Sequence, residues 1–323
     1  MSLAPPTLAR IGILSTGDMG IGIAKLLQAH GFAVATNCHG RSQDTIKRAE
    51  AALVTNYSTD EELVRECDAI LSVAPPRDAT EIAKRIVRAV SSGSTAGSTT
   101  GTASLYFADM NAVAPSTARE IGRLFDSVGP LVRFVDGSII GGPPSVNAGG
   151  TDWSAPATYA SGPHRLKDIP GWGATLTEVL RMRHIGEGIG AASGLKMCFA
   201  SMSKGYTAIA IQAFTSAQSM GVLGELRSVL AEMVPQRAAE TERGLISMAP
   251  KAYRWVREME EISKTHTEEG GFGPELFLGA ADVYRSVADE TVLGQEKIGD
   301  RKRGTTAEDI AAAMVDGLTE RRD

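Results

Sequence analysis

The sequence predicts an α/β protein in two parts: a parallel sheet with crossover helices over residues 1–185, then an all-α region over 186–323. Three observations carry this. Short apolar runs alternate with helical patterns through the first half. A glycine-bearing turn, "STGDMG" (15–20), joins the first apolar run to the first helical pattern. After "RMRHIGEG" the texture changes, and "GIGAASGLKMCFASMSKGYTAIAIQAFTSAQSMG" (188–221) runs long, proline-free and rich in small residues.

The elements follow in order. "RIGIL" (10–14) reads as the first strand, and residues 18–30 as a helix with Gly31 as its stop. "FAVATN" (32–37) is the second strand. "SQDTIKRAEAA" (42–52) is a helix that Ser42 or Asp44 would cap, and "STDEELVREC" (58–67) is another, with Ser58 or Thr59 as cap. "DAILSVAP" (68–75) is a buried strand halted by Pro75 and Pro76, and residues 77–90 carry helical spacing. "SLYFADMN" (104–111) is a strand, and "PSTAREIGRLF" (115–125) is a helix with proline in its first turn. "RFVDGSII" (133–140) and "ATYASG" (157–162) complete the strands. Beyond residue 221 the pattern is helical, interrupted near Pro235, Pro250 and "EEGGFGP" (268–274); Trp255 and Met259 read as helical-domain core, and Phe272 as a lid or wall.

Composition narrows the function classes. Hydrophobic residues make up 43% and charged residues 22%, which suits a globular chain able to bury a core. A net charge of −5 leaves no basic footprint for nucleic acid. Three cysteines (Cys38, Cys67, Cys198) show neither disulfide nor metal spacing, and suit a reducing compartment. The five histidines are scattered, so no metal site is expected. No signal-peptide pattern and no membrane-length apolar run is present, so a cytoplasmic protein is expected.

"STGDMG" has the chemistry of a dinucleotide loop with one departure. A pyrophosphate must approach backbone N–H groups at a helix N-terminus. In the G-x-G-x-x-G pattern the middle glycine permits that approach and the last lets helix and strand pack closely. Gly17 and Gly20 supply both, while Ser15 stands in place of the first glycine. Thr16, Asp18 and Met19 complete the loop. At the end of the second strand an NAD site uses a carboxylate for the ribose 2′-hydroxyl. "TNCHGRS" (36–42) has none. Arg41 and Ser42 suit a 2′-phosphate instead, and neutral Asn37 does not repel it, so NADP(H) is favoured. The alternative for Arg41 is the start of a solvent-exposed helix.

Four stretches together resemble the β-hydroxyacid dehydrogenase and 6-phosphogluconate dehydrogenase superfamily: "GILSTGDMG", "ILSVAPP", "FADMNAVAP" and "GIGAASGLKMCFASMSKG". Within it the chain is similar to the branch with the phosphogluconate dehydrogenase NAD-binding C-terminal domain. The resemblance spans roughly residues 9–290. It implies a Rossmann-type domain followed by a helical substrate domain, a homodimer formed through that domain, and NAD(P)-dependent oxidation or reduction at a carbon bearing a hydroxyl or carbonyl.

The resemblance also assigns roles. Lys196 matches the family's proton-exchanging lysine on the interdomain helix. Val73, Ala74, Pro75 and Asn111 would flank the nicotinamide ribose. "DGSIIGG" (136–142) resembles a substrate loop in which Gly141 and Gly142 match glycines, but Ser138 replaces a proline and Ile140 a serine. Phe199 and Ala200 stand where relatives often carry asparagine. Lys204, about 12 Å further along a continuous helix, is a candidate substrate group beside Ser201 and Ser203. Thr99 and Thr100 offer further hydroxyls, with a plain loop as the simpler reading.

The function expected is hydride transfer between NADPH and a small hydroxyacid, sugar-acid-like or carbonyl substrate. Imine reduction on the same scaffold, or dinucleotide binding without turnover, are the alternatives. "G-x-S-x-G" is absent, so a hydrolase is not indicated.

Overall fold

A computed structural model of the chain describes residues 7–93, 104–147, 149–150, 152–296 and 301–320. Thr99 and Thr100 lie outside the described residues. The chain forms two compact units, Met1–Lys196 and Met197–Asp323.

In the first unit β1 (Arg10–Leu14), β2 (Ala33–Asn37), β3 (Thr55–Tyr57), β4 (Ala69–Ser72), β5 (Leu105–Asp109) and β6 (Val132–Ile140) run parallel. Between them lie α1 (Asp18–Ala29), α2 (Gln43–Ala51), α3 (Asp60–Glu66), α4 (Ala79–Ser91) and α5 (Pro115–Leu124). A small hairpin, β7 (Ser145–Val146) with β8 (Trp153–Ser154), precedes β9 (Ala157–Ser161), α6 (Gly173–Val179) and β10 (Met182–His184). The eight-stranded sheet has the order β10-β9-β6-β5-β4-β1-β2-β3. Order reverses between β1 and β4, where open α/β sheets hold ligands at their carboxyl edge.

The sheet is parallel-dominated rather than wholly parallel. β9 pairs antiparallel with β6, through Asp136 opposite Ser161, and β10 runs parallel to β9. The turn at "GGPP" and the hairpin send the chain back along β6, without the crossover helix a parallel neighbour would need.

Strands buried on both faces read as near-continuous apolar runs. Ile11, Ile13, Val34 and Leu71 enter one core with Ile23 and Leu27 of α1 and with Trp172 and Leu176 around α6. Leu14, Ile70 and Phe107 enter the other with Ile82 and Ile86 of α4 and Ile121 of α5. Of the cap candidates, Ser42 accepts the Thr45 N–H at 3.3 Å and Thr59 accepts the Glu62 N–H at 3.1 Å.

The division between units falls inside α7 (Ala191–Ala200), beyond the 185/186 boundary read from the texture change. The first turn of α7 is hydrogen-bonded to β6, so it stays with the sheet. After α7 the helix widens into a π turn over Ser201–Gly205 and resumes as α8 (Tyr206–Ser219). That turn breaks the regular α-helical spacing on which the expected offset of Lys204 rests.

The second unit continues with α9 (Leu223–Met233), α10 (Pro235–Met248), α11 (Ala252–Gly270), α12 (Glu275–Asp289) and α13 (Ala307–Glu320). Pro235 opens α10, and Gly271, in the left-handed region at φ 71°, closes α11. Met259 and Tyr284 are fully buried, and half-buried Trp255 meets Tyr284 edge-on at 5.2 Å. Phe272 is exposed. Among the described residues no helix is long and apolar enough to cross a membrane.

Candidate dinucleotide site

The β1–α1 turn is built like a glycine turn although it begins with serine. Ser15 sits at φ 84°, a conformation that side chains rarely adopt. Gly17, in extended backbone before α1, has open space where a Cβ would stand, with only Ser15 Oγ at 3.9 Å. A Cβ on Gly20 would lie 2.0 Å from the Ser15 carbonyl oxygen, so only glycine lets α1 come so close to the turn. No side chain caps α1, which leaves its first-turn N–H groups to an external acceptor. Asp18 is exposed in that first turn, and Met19 packs on the core below. Thr16 is buried, its Oγ1 donating to the Thr45 carbonyl at 3.4 Å.

This turn opens into a cavity of about 150 Å³. Ser15, Thr16 and Gly17 line it from one side, Thr36, Asn37 and Arg41 from the end of β2, and Pro75 from the loop after β4. The Thr36 hydroxyl is buried here and has no hydrogen-bond partner. Such an orphan, beside a glycine cradle and an uncapped helix, fits a polar ligand. Three further arginines, Arg48, Arg77 and Arg85, and the carboxylate of Asp78 also line the cavity. Asp60 binds Arg85 through two bonds of 2.8 Å and also accepts the Asn37 amide at 2.7 Å. That pairing neutralises Arg85 and fixes Asn37. Arg77 lies 3.5 Å from the carboxylate of Asp78, so the guanidinium groups of Arg41 and Arg48 give the cavity its positive character, which suits a phosphate. Ser42 is engaged differently: its hydroxyl caps α2.

Sequence reasoning found Arg41 but missed Arg48, Arg77 and Thr36. Arg48 had no usable signal, because Arg41 precedes the Ser42 cap of α2 and no helical period links the two. Arg77 had none, because only the fold brings the β4 loop beside β2.

At the neighbouring strand ends, Asn111 is 2% exposed and its side chain is spent on protein. Its Nδ2 donates to Ser72 Oγ at 2.9 Å, and its Oδ1 accepts the Ala74 N–H at 2.6 Å. The Val73 N–H donates to the Leu14 carbonyl at 3.0 Å. Asn111 therefore braces the loop of Val73, Ala74 and Pro75, whose first residue is bonded to β1.

Strand β6 runs on beyond the end of β5 and is paired there with β9. Lys196 Nζ donates to the Ile139 carbonyl at 2.8 Å, which holds the half-buried ammonium near the end of β6. Gly141, two residues on, has φ 135° and passes close to Pro156. Gly142 is exposed with open space around it. The following Pro144 crosses α1 so closely that a Cβ on Gly22 would meet its ring at 2.9 Å. Lys196 and the paired glycines thus share one strand end. Ser138, in the position usual for proline, is fully buried with no partner for its hydroxyl. Lys204 belongs to the second unit, where its ammonium pairs with Glu258 and lies 4.9 Å from the centre of the Trp255 ring. Its charge is engaged within that unit.

The family "NADP oxidoreductase coenzyme F420-dependent" matches residues 10–98, and a domain of unknown function, DUF1932, matches residues 217–287. An uncharacterized 28.5 kDa protein of Methanothermus fervidus is 25% identical over 263 residues, covering 80% of this chain and 92% of that protein. Mycobacterium tuberculosis 3-hydroxyisobutyrate dehydrogenase, solved with L-serine, is similar with a TM-score of 0.62 at 18% identity, over 98% of this chain and 100% of that one. A conserved protein of unknown function, described as structurally similar to 3-hydroxyacid dehydrogenases, has a TM-score of 0.58 at 24% identity, over 87% of this chain and 97% of that one. These likenesses show the fold: a parallel-dominated sheet unit followed by a helical unit, as in the 3-hydroxyisobutyrate dehydrogenase.

Proposed function

We propose that the chain is an oxidoreductase using a nicotinamide dinucleotide, NADPH in preference to NADH. Its substrate would be a small hydroxyacid, a sugar-acid-like molecule or a related carbonyl compound. The observation that carries this reading is the Ser15 turn: a left-handed serine beside an uncapped helix, opening on a cavity walled by arginines.

The residues divide the work. Backbone N–H groups from Gly17 to Gly20 would hold the diphosphate. Arg41, assisted by Arg48 and Arg77, would hold the 2′-phosphate. When bound, the nicotinamide supplies or accepts the hydride. Lys196 would take the hydroxyl proton at Nζ during oxidation and return it during reduction. Its bond to the Ile139 carbonyl orients the ammonium beside Gly141 and Gly142, whose N–H groups would face a substrate carboxylate or oxyanion.

Retention of Lys196 weighs against imine reduction. Ser138, Ile140, Phe199 and Ala200, which depart from the family pattern, are what the alternative of dinucleotide binding without turnover rests on, and they equally fit a different substrate. One experiment separates these. NADPH and NADH are titrated by fluorescence, and hydroxyacids, ketones and imines are screened with the native chain and with Lys196→Ala. NADPH-linked turnover of a hydroxyacid or ketone, lost in Lys196→Ala, supports the proposal. Turnover that survives Lys196→Ala removes the proton role, and tight cofactor binding with no turnover favours the binding protein.

A homodimer through the helical domain belongs to the same proposal. Met202, Ile209 and Leu276 are each more than half exposed in the second unit and line a groove of about 480 Å³. Apolar surface of this kind is commonly covered by a partner. Light scattering should give twice the chain mass, falling to the monomer in Ile209→Asp. A cytoplasmic location is also proposed, since the three cysteines are free.

A further inference from the structure

Asp136 is fully buried in β6, and its carboxylate accepts five hydrogen bonds from neutral donors. Oδ2 takes the N–H groups of Gly190 at 2.8 Å, Ala192 at 3.1 Å and Ser193 at 3.3 Å, together with the Ser161 hydroxyl at 2.7 Å. Oδ1 takes the Ser193 hydroxyl at 2.5 Å. The Ala192 N–H also reaches Ser161 Oγ at 3.0 Å. These N–H groups belong to the start of α7, where a helix leaves its donors unsatisfied and its dipole favours negative charge. Asp136 is therefore the cap of α7, supplied from a strand more than fifty residues upstream.

The same strand makes a second contact with the same helix. Three residues after Asp136, the Ile139 carbonyl accepts the Lys196 ammonium. Three residues after Ser193, one helical turn on, stands Lys196. β6 thus grips α7 at two points: the cap fixes where the helix begins, and the carbonyl receives the lysine one turn later. A shift of α7 by one residue would rotate Lys196 by about 100° and carry Nζ away from Ile139.

We infer that Asp136 is a positioning residue for Lys196: its carboxylate seats the first turn of α7 so that the ammonium falls on the Ile139 carbonyl at the end of β6. The interest of this position rests on the proton-exchange reading of Lys196, but the geometric claim is tested without turnover.

The test reads the chemical accessibility of Lys196. The full chain is treated with limiting acetic anhydride across pH 7–10, and the labelling of Lys196 is followed by peptide mass spectrometry against exposed Lys47 as reference. Native Lys196 should label slowly. In Asp136→Ala its rate should rise about tenfold, with a pH profile approaching that of Lys47, because loss of the cap frees the ammonium from its carbonyl. Asp136→Asn, which keeps the shape and an acceptor oxygen, should restore most of the native profile. NADPH affinity, measured in parallel, should stay near native, since the β1–α1 turn is untouched.

An unchanged Lys196 profile in folded Asp136→Ala overturns the inference. If that variant does not fold, Ser193→Ala removes one donor alone and should raise labelling about threefold; no rise there overturns it equally. Lys196→Ala with full turnover would sink the proton-exchange reading while leaving these labelling results standing, so the two failures are told apart.

Discussion

Ser15 and Gly20 meet across the β1–α1 turn, with the Ser15 carbonyl oxygen 2.0 Å from the point where a Gly20 Cβ would stand. The contact is to backbone, which cannot swing aside. Gly20→Ala should destabilise the chain by about 3 kcal/mol or more and abolish NADPH binding. Urea unfolding and a fluorescence titration check this, and native stability in the variant would contradict the close packing.

Ser15 bears the opposite liability, because it holds a left-handed conformation that glycine adopts freely. Ser15→Gly should raise stability by about 1 kcal/mol without weakening NADPH by more than about twofold. A large loss of affinity would show that the hydroxyl contacts the nucleotide.

Arg41, Arg48 and Arg77 line the cavity, with Arg77 beside Asp78 and Arg85 held by Asp60. Arg41→Ala should weaken NADPH at least about tenfold and leave NADH within about twofold. Arg48→Ala and Arg77→Ala should act the same way with smaller effect. Equal loss for both nucleotides would remove the 2′-phosphate role.

Lys204 and Glu258 form a largely buried ion pair, 22% and 7% exposed at their side chains. Removing one partner strands the other charge, so Glu258→Ala should cost about 3 kcal/mol. The double variant with Lys204→Met should recover part of that loss. Chemical denaturation of the four proteins measures the coupling, and strict additivity would contradict it.

Burial, with Asp68 and Glu66 nearby, pushes the Cys67 thiol up, against the smaller opposing effect of Arg10. The unfolded thiol ionises near pH ~8.5, while the folded one keeps its proton to higher pH. The folded state then binds a proton that the unfolded state has released. Its stabilising contribution is whole below about pH 8 and declines as pH climbs past about 8.5. Stability measured from pH 7.5 to 9.5 should fall, and less steeply in Cys67→Ala. Native labelling with a thiol reagent should modify exposed Cys198 and spare buried Cys38 and Cys67.

Local signals carried much of the architecture. The apolar runs at 10–14, 68–75 and 104–111 announced β1, β4 and β5, because strands buried on both faces have nothing else to be. Ser42 and Thr59 announced their helices by cap chemistry. What escaped depended on distant partners. β3 and β10 have three residues each and little apolar content, so their edge positions come from neighbouring strands. The reversal of β9 is set by the path of the chain, which no local residue encodes. In the site, Gly17, Gly20 and Arg41 were legible from spacing around a strand and a helix. Asp136 was not, since its helix partners lie 54 to 57 residues away.

The wide turn at Ser201–Gly205 has a bearing on how this chain should be aligned with others. Such a turn is what a helix makes of one surplus amino acid. Against a relative whose helix is regularly α there, a pairwise alignment drawn without a gap would put each residue after Gly205 opposite the wrong counterpart, turned by about 100° around the helix. Motifs carried over into α8 from a relative without that turn should be shifted by one position before any residue is judged retained or replaced.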